Sequence, residues 1–308
     1  MRVATIDIGT NTVLLLVAEK SAGGELVPVE EHATITRLGQ GVDKTKKLAH
    51  EAIERTNACL DQYAAIVHRL GAERVAVVGT SAMRDAGGGE AVRAHVKERF
   101  GVEARTISGQ EEARLTFEGA LSGLPDPGAS PVIVFDIGGG STEVVHGRRD
   151  TGELSFVHSF DVGSVRLTER LVSGDPPSKD ERDAVLAAAR DAFRAVPALD
   201  TGTPPIGIAG TMTTLAAVYL RMETYDAKRV HGLTMTVPAL EQVITELSCV
   251  TLAERQRMPG LEPKRADVII AGGLIALAFL QHVGAREVRI SDRGVRWGLA
   301  EELTKTAR

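Results

Sequence analysis

Apolar residues along the chain gather in short runs separated by glycine-rich and polar turns, and the spacing inside the runs changes from element to element. Residues 3–8 form a compact apolar run, Gly9-Thr10-Asn11-Thr12 supply turn chemistry and 13–18 form a second run, which predicts a hairpin inside a sheet. After the Gly23-Gly24 turn, 26–38 carry β-branched alternation. Residues 49–70 show helical spacing through Ile53, Leu60, Ile66, Val67 and Leu70, closed by Gly71. A buried strand at 75–78, a helix at 90–100 and a strand at 102–107 follow. Ser108 with Glu111 three residues on reads as a capping box, so a helix is expected from Gly109 to about residue 121, with the Glu111 carboxylate turned back to the Ser108 amide. Alternation of this kind is that of an α/β fold. Gly123-Leu124-Pro125-Asp126-Pro127-Gly128 is loop chemistry and the expected linker.

The start of the chain then recurs. Residues 132–135 are a buried-strand run ending in Asp136-Ile137-Gly138-Gly139-Gly140-Ser141, the counterpart of Asp7-Ile8-Gly9-Thr10-Asn11-Thr12, and each copy has an apolar run on both sides. Two similar domains, 1–124 and 125–294, are the simplest explanation. Beyond the repeat, the pattern predicts strands at 155–160, 206–208 and 288–290, and helices after Ser178, Thr211 and Pro238, at 264–282 and at 295–303.

Composition narrows the classes of function. The 308 residues are 43% hydrophobic and 25% charged, as in an ordinary globular protein. Lys and Arg total 36 against 41 Asp and Glu, and a net charge of −5 speaks against a generally basic nucleic-acid binder. Cys59 and Cys249 stand apart from any CxxC or His/Cys cluster, which argues against a disulfide framework and fits a reducing cytoplasm. The first residues lack an export-signal layout, and the longest apolar stretch, 268–280, is too short to span a bilayer. No membrane or nucleic-acid partner is expected.

An Asp that closes a buried strand before a small-residue turn brings a carboxylate and several backbone N–H groups together, a cradle for a metal and a phosphate. Taken singly, such a turn is equally well a conformational device. Two copies flanking an interdomain cleft favour a phosphate group bound between the halves. A third glycine turn, Gly207-Ile208-Ala209-Gly210-Thr211, leads into a helix expected to begin near Thr213, either as an anion site or as a tight turn capped by Thr211. Gly79-Thr80-Ser81-Ala82-Met83-Arg84 places two hydroxyls and an Arg after a buried strand, where Arg84 could clamp a phosphate oxygen. If Glu111 is engaged by the cap, Glu112 is left to orient or deprotonate a water, although acids at a helix start are also common for their dipole alone. Arg114, Arg166, Lys264, Arg265 and Arg293 are further candidates for polyanion contact. Walker A, GxGxxG, GxSxG and HExxH patterns are absent from the motif positions they would need.

Together, Asp7-Ile8-Gly9-Thr10-Asn11-Thr12, Thr80-Ser81-Ala82-Met83-Arg84, Gln110-Glu111-Glu112-Ala113-Arg114, Asp136-Ile137-Gly138-Gly139-Gly140-Ser141-Thr142-Glu143, Gly163-Ser164-Val165-Arg166-Leu167 and Ser291-Asp292-Arg293-Gly294-Val295-Arg296-Trp297-Gly298 resemble the exopolyphosphatase and guanosine pentaphosphate phosphohydrolase (Ppx/GppA) family. The resemblance implies two ribonuclease H-like domains, the fold shared by actin, sugar kinases and heat-shock chaperones, with substrate in the interdomain cleft. It also implies that the last helix, about 295–308, completes the first domain. It maps the catalytic carboxylate to Glu112 and the metal-linked acids to Asp136 and Glu143, with Asp7 as a further metal contact. Phosphate contacts map to Gly9, Thr10, Asn11, Thr80, Ser81, Arg84, Gly138, Gly139, Gly140, Ser141, Gly210 and Thr211. The implied cofactor is magnesium or manganese, the substrate inorganic polyphosphate and the assembly a homodimer. Guanosine pentaphosphate hydrolysis, a kinase activity and ligand sensing without turnover are the rival readings. Longer relatives add a C-terminal helical module with a His-Asp motif before which this chain ends, which leaves chain-length preference open.

Overall fold

The computed structural model describes residues 1–21, 23–125, 128–199 and 203–305. Contacts divide the chain into a first unit, Met1–Gly119 together with the chain from Val295 onward, and a second unit, Ala120–Gly294. Asp126 and Pro127 of the expected linker, and residues 306–308 of the expected first domain, lie outside the described residues.

The first unit contains β1 (Arg2–Ile8), β2 (Thr12–Lys20), β3 (Leu26–Ile35), α1 (Val42–Thr45), α2 (His50–Arg69), β4 (Arg74–Gly79), α3 (Ser81–Asp85), α4 (Gly89–Phe100), β5 (Ala104–Thr106) and α5 (Gly109–Ala120), and ends with the C-terminal helix, Val295–Lys305. Its sheet runs β3-β2-β1-β4-β5, with β1 antiparallel to β2 and parallel to β4. A strand paired on both sides and covered on both faces reads as a continuous apolar run, as β1 does. Ala4, Ile6 and Ile8 pack on one face with Leu60, Tyr63 and Val67 of α2. Val3 meets Trp297 and Ala300 of the C-terminal helix on the other, where the Thr5 hydroxyl donates to the Arg296 carbonyl at 2.8 Å. The two helices on that face touch closely, since a Cβ at Gly298 would stand 2.2 Å from the Leu115 carbonyl oxygen.

The second unit contains β6 (Val132–Ile137), β7 (Thr142–Gly147), β8 (Leu154–Phe160), α6 (Ser164–Leu171), α7 (Lys179–Phe193), β9 (Ile206–Ile208), α8 (Ala209–Tyr219), α9 (Ala227–Val230), β10 (Thr234–Thr236), α10 (Val237–Ser248), α11 (Leu252–Arg255), α12 (Ile269–His282) and β11 (Glu287–Ile290). Its sheet runs β10-β11-β9-β6-β7-β8. The apolar stretch seen in the sequence is α12, whose residues 269–280 are all buried in this core, with Phe279 against Phe135 and Phe193. No helix among the described residues is long and apolar enough to cross a membrane.

Pairing in the second sheet repeats that in the first: β6, β7 and β8 are antiparallel as β1, β2 and β3 are, and β9 and β11 add parallel to β6 as β4 and β5 add to β1. The fold is therefore α/β with two ribonuclease H-like sheets. Three sequence expectations need correction. The helix expected near Thr213 begins at Ala209, directly after β9, because Ala209 takes a left-handed φ of 65° and turns the chain without a connecting loop. The helix expected over 264–282 splits into a 3-10 turn at Pro263–Arg265 and α12. The Ser108 hydroxyl accepts from the Glu111 amide at 3.1 Å, but the Glu111 carboxylate pairs with Arg105 at 3.0 Å. A guanidinium is a stronger partner for a carboxylate than a neutral amide.

Candidate active site

In the first unit the carboxyl ends of β1, β4 and β5 lie level, with Ile8 beside Gly79 and Gly79 beside Thr106. Ligands of α/β sheets gather outside such ends. The turn after β1 is closed by the Gly9 amide donating to the Thr12 carbonyl at 3.1 Å. Its outer carbonyls are engaged from behind: Thr10 accepts from the Gly39 amide at 2.8 Å, and Asn11 from the amides of Thr36 and Arg37. In a trans peptide the N–H points opposite to the preceding carbonyl, so the Asn11 amide faces away from this backing. The amides of Thr10 and Asn11 meet no acceptor among the described residues, and the buried Asn11 Nδ2 likewise has none. Gly39 lets its segment lie close against the turn: a Cβ there would come within 2.3 Å of the Thr10 methyl.

Beside this turn, the Thr80 amide donates to the Ile8 carbonyl at 3.2 Å, which places Thr80, Ser81 and Arg84 of α3 next to it. Arg84 donates to the Ile107 carbonyl at 3.0 Å and to Glu112 Oε2 at 2.7 Å. Glu112, buried in the first turn of α5, is thus held by a guanidinium rather than left unengaged as the sequence argument had it. Of the residues expected in this half, Gly9, Thr10, Asn11, Thr80, Ser81, Arg84, Glu112 and Asp7 are brought together along one sheet edge. The Ser81 hydroxyl is turned to Asp85, donating at 3.1 Å.

The second unit repeats the turn. The Gly138 amide donates to the Ser141 carbonyl at 3.0 Å, as Gly9 does to Thr12. The carbonyls of Gly138 and Gly139 accept from the amides of Ser164, Val165 and Arg166 at the start of α6, and Gly140 accepts from Arg166 Nε at 2.6 Å. Three successive carbonyls are held on one side, so the amides of Gly139, Gly140 and Ser141 face the other, and none of them meets an acceptor among the described residues. That is an anion nest. Gly163 makes the backing possible: a Cβ there would stand 2.4 Å from the Gly139 carbonyl oxygen.

Next to this nest, Ile208 of β9 pairs with Asp136, and the Thr211 hydroxyl donates to the Ile137 carbonyl at 2.9 Å. The hydroxyl therefore fastens α8 to β6, and Gly210 and Thr211 offer a phosphate the amides of a helix's first turn. Gly210 leaves room for Arg265, whose guanidinium would lie 2.0 Å from a Cβ at that position. Burial pushes the Arg265 pKa below its usual range, against the opposing pull of Glu262 and Tyr225.

Asp136 and Glu143 stand directly opposite each other in the β6/β7 ladder. Directly paired residues project to the same face with Cβ atoms about 5 Å apart. Both side chains are buried, and the Ser159 hydroxyl donates to Glu143 Oε1 at 2.6 Å. Among the described residues no group of three or more His, Cys, Asp or Glu stands close enough to hold a metal. Two hard carboxylates suit magnesium or manganese, which complete their shells with water and substrate phosphate. Asp7, the third expected metal contact, has Leu14 as its ladder partner.

Gly39, Gly163 and the buried Arg166 shape the turns, yet none shows its role in the sequence: a glycine after a strand and an Arg on a helix carry no sign of what they touch. Arg114 pairs with Glu118 and Glu302, and Arg293 donates to the Ser122 hydroxyl at 3.0 Å.

Two ribonuclease H-like sheets, each with an acid-terminated strand and an amide-lined turn, define a phosphate-handling protein of the actin-like class. A sequence profile described as the Ppx/GppA phosphatase family matches residues 16–307. The chain belongs to that family. It is 39% identical to the Mycobacterium tuberculosis protein named exopolyphosphatase 2, over 98% of both chains. The solved Aquifex aeolicus Ppx/GppA family member superposes with a TM-score of 0.83 at 32% identity, covering 100% of this chain and 99% of that one. An exopolyphosphatase structure from Cytophaga hutchinsonii, 24% identical, shares the fold with a TM-score of 0.90 over 100% of this chain and 99% of that one.

Proposed function

We propose that this chain is an exopolyphosphatase, which hydrolyses the terminal phosphoanhydride of inorganic polyphosphate and releases orthophosphate. The observation that carries the reading is the pair of equivalent turns whose carbonyls are engaged from behind and whose amides are left for an anion. The similarity to a protein named exopolyphosphatase over the full length of both chains supports the choice of substrate.

Glu112 takes a proton from water as its oxygen attacks the terminal phosphorus. The bond from that phosphorus to the bridging oxygen breaks, and the shortened chain leaves with the electron pair. Phosphoryl transfer depends mostly on positioning and on charge stabilisation. Each unit offers amides for the latter, those of Thr10 and Asn11 in the first and of Gly139, Gly140 and Ser141 in the second, and Arg84 holds the Glu112 carboxylate in place. Asp136 and Glu143 would hold magnesium or manganese, whose chemistry is to neutralise charge on the phosphoryl oxygens. Asp7, which stands opposite Leu14, is the further candidate ligand. A dimeric, cytoplasmic enzyme is the companion expectation, supported by the family resemblance and by two cysteines without a disulfide.

The test is orthophosphate release from long-chain polyphosphate, guanosine pentaphosphate and ATP, with magnesium and with chelator, comparing wild type with Glu112→Gln. Metal-dependent release from polyphosphate that fails in the variant is the expected result. Release from guanosine pentaphosphate alone would replace the substrate, and ligand binding without release from any of the three would replace the enzyme with a sensor.

A further inference from the structure

Asp136, Glu143 and Ser159 occupy one row across three neighbouring strands: Asp136 is paired with Glu143 between β6 and β7, and Glu143 with Ser159 between β7 and β8. Glutamate on a strand has three side-chain torsions to fix, and a buried carboxylate has to be hydrogen-bonded. The Ser159 hydroxyl donates to Glu143 Oε1 at 2.6 Å, the short length of a bond to a charged acceptor. β8 is the edge of the sheet, so the row ends at Ser159.

The first unit supplies an internal control. The same row there runs Asp7, Leu14, Ala33. Where the second carboxylate is replaced by leucine, the hydroxyl is replaced by alanine, although the strands and their register are the same. The hydroxyl therefore accompanies the carboxylate rather than the fold. Ser155, also on β8, has another occupation, with its hydroxyl on His146.

We propose that Ser159 is a positioning residue for the divalent cation: by fixing the Glu143 carboxylate beside Asp136, it sets the affinity of the metal pair from a strand that carries no phosphate turn. This rests on the reading of Asp136 and Glu143 as metal-holding residues. Partners behind a metal ligand are typically worth about 10- to 100-fold in metal affinity.

Manganese binding followed by electron paramagnetic resonance in the presence of orthophosphate tests it without turnover. The manganese dependence of phosphate release gives a second readout. Ser159→Ala is expected to weaken manganese binding by about 10- to 100-fold, with turnover at saturating metal falling far less. Ser159→Thr, which keeps the hydroxyl, should stay within a few-fold of wild type, and Ser155→Ala should not shift the affinity. Ser159→Cys, close in size but a weak donor, should move in the direction of the alanine variant and serves if that variant does not fold. Unchanged manganese affinity in Ser159→Ala or Ser159→Cys, even with a lower melting temperature, would make the hydroxyl a purely structural partner and overturn the proposal. Wild type that binds no manganese and releases phosphate equally well in chelator would overturn the metal reading itself, and this proposal with it.

Discussion

The turn after β1 and the turn after β6 share a skeleton and differ in the residue that stands opposite the acid of the first strand. Each is closed by a glycine amide on a carbonyl three residues later, and each is backed by the segment that follows the third strand of its sheet. Opposite Asp136 stands Glu143, and opposite Asp7 stands Leu14. In the first unit the charge lies elsewhere on the same sheet edge, in Glu112 and its Arg84 partner. On the proposed reading a duplicated cradle has been divided in labour: both halves keep a turn with outward amides, one would carry the acid–base carboxylate and the other the pair that would hold the metal.

The largest effect that bears on this division is expected from Glu112→Gln. Loss of a general base lowers kcat by about 10²- to 10⁴-fold, with KM for polyphosphate little changed, as measured by orthophosphate release. A fall in binding alone would move the base to another residue. Asp136→Asn against Asp7→Asn tests the asymmetry next. The former should raise the magnesium concentration for half-maximal rate by at least about tenfold, since even supporting residues are worth that much, and the latter by much less. Equal shifts would restore symmetry to the two turns.

A smaller difference is expected between the glycines that back them. At Gly163 a Cβ would strike the Gly139 carbonyl oxygen, which is backbone, and at Gly39 the Thr10 methyl, a side chain. Overpacking of this kind costs about 1–3 kcal/mol, so Gly163→Ala should lower the melting temperature more than Gly39→Ala. Equal losses would mean that both turns yield equally.

The smallest effect concerns two capping sequences. Glu181 of the second unit closes its box, accepting from the amides of Ser173, Ser178 and Gly174, which together with the Ser173 hydroxyl hold its pKa down at about 2, against an ordinary value of 4.5. A depressed folded-state pKa gives stability that is present above the ordinary value and lost as pH falls through the folded one. The difference in melting temperature between wild type and Glu181→Gln should therefore shrink from pH 4.5 towards 2. Glu111→Gln in the first unit should lose the Arg105 ion pair and leave the Ser108 hydroxyl on its amide, so its melting temperature should change little.

Local chemistry was legible in the sequence, and contacts made at a distance were not. Both hairpins followed from apolar runs around a small-residue turn, and α2 from its 3.6-residue spacing, with its ends shifted by only one residue at each side. The Glu111 carboxylate was misplaced because Arg105, its partner, lies before the box and outside the pattern. The start of α8 was missed because Gly210 and Thr211 read as a turn, and an alanine at positive φ leaves no mark in composition. The strand β10 is three residues long, too short for alternation to show. Candidate site residues announced themselves where an Asp met glycines. The backing roles of Gly39, Gly163 and Arg166 did not show, although Arg166 stood among the candidate polyanion contacts, since their work is to hold another segment's backbone.

The way the chain is divided between the units has a consequence during biosynthesis. The second unit is one unbroken stretch, whereas the first takes its last helix from the far end of the polypeptide. On the ribosome, residues 120–294 are all synthesised before Val295 is added. The unit that is translated first is thus finished last, with Val3, Leu16 and Ala18 waiting for Trp297 and Ala300 to cover them. A chain released just before that helix would carry a whole second unit and a first unit with an open apolar face, a product suited to capture by the chaperones that recognise such surfaces.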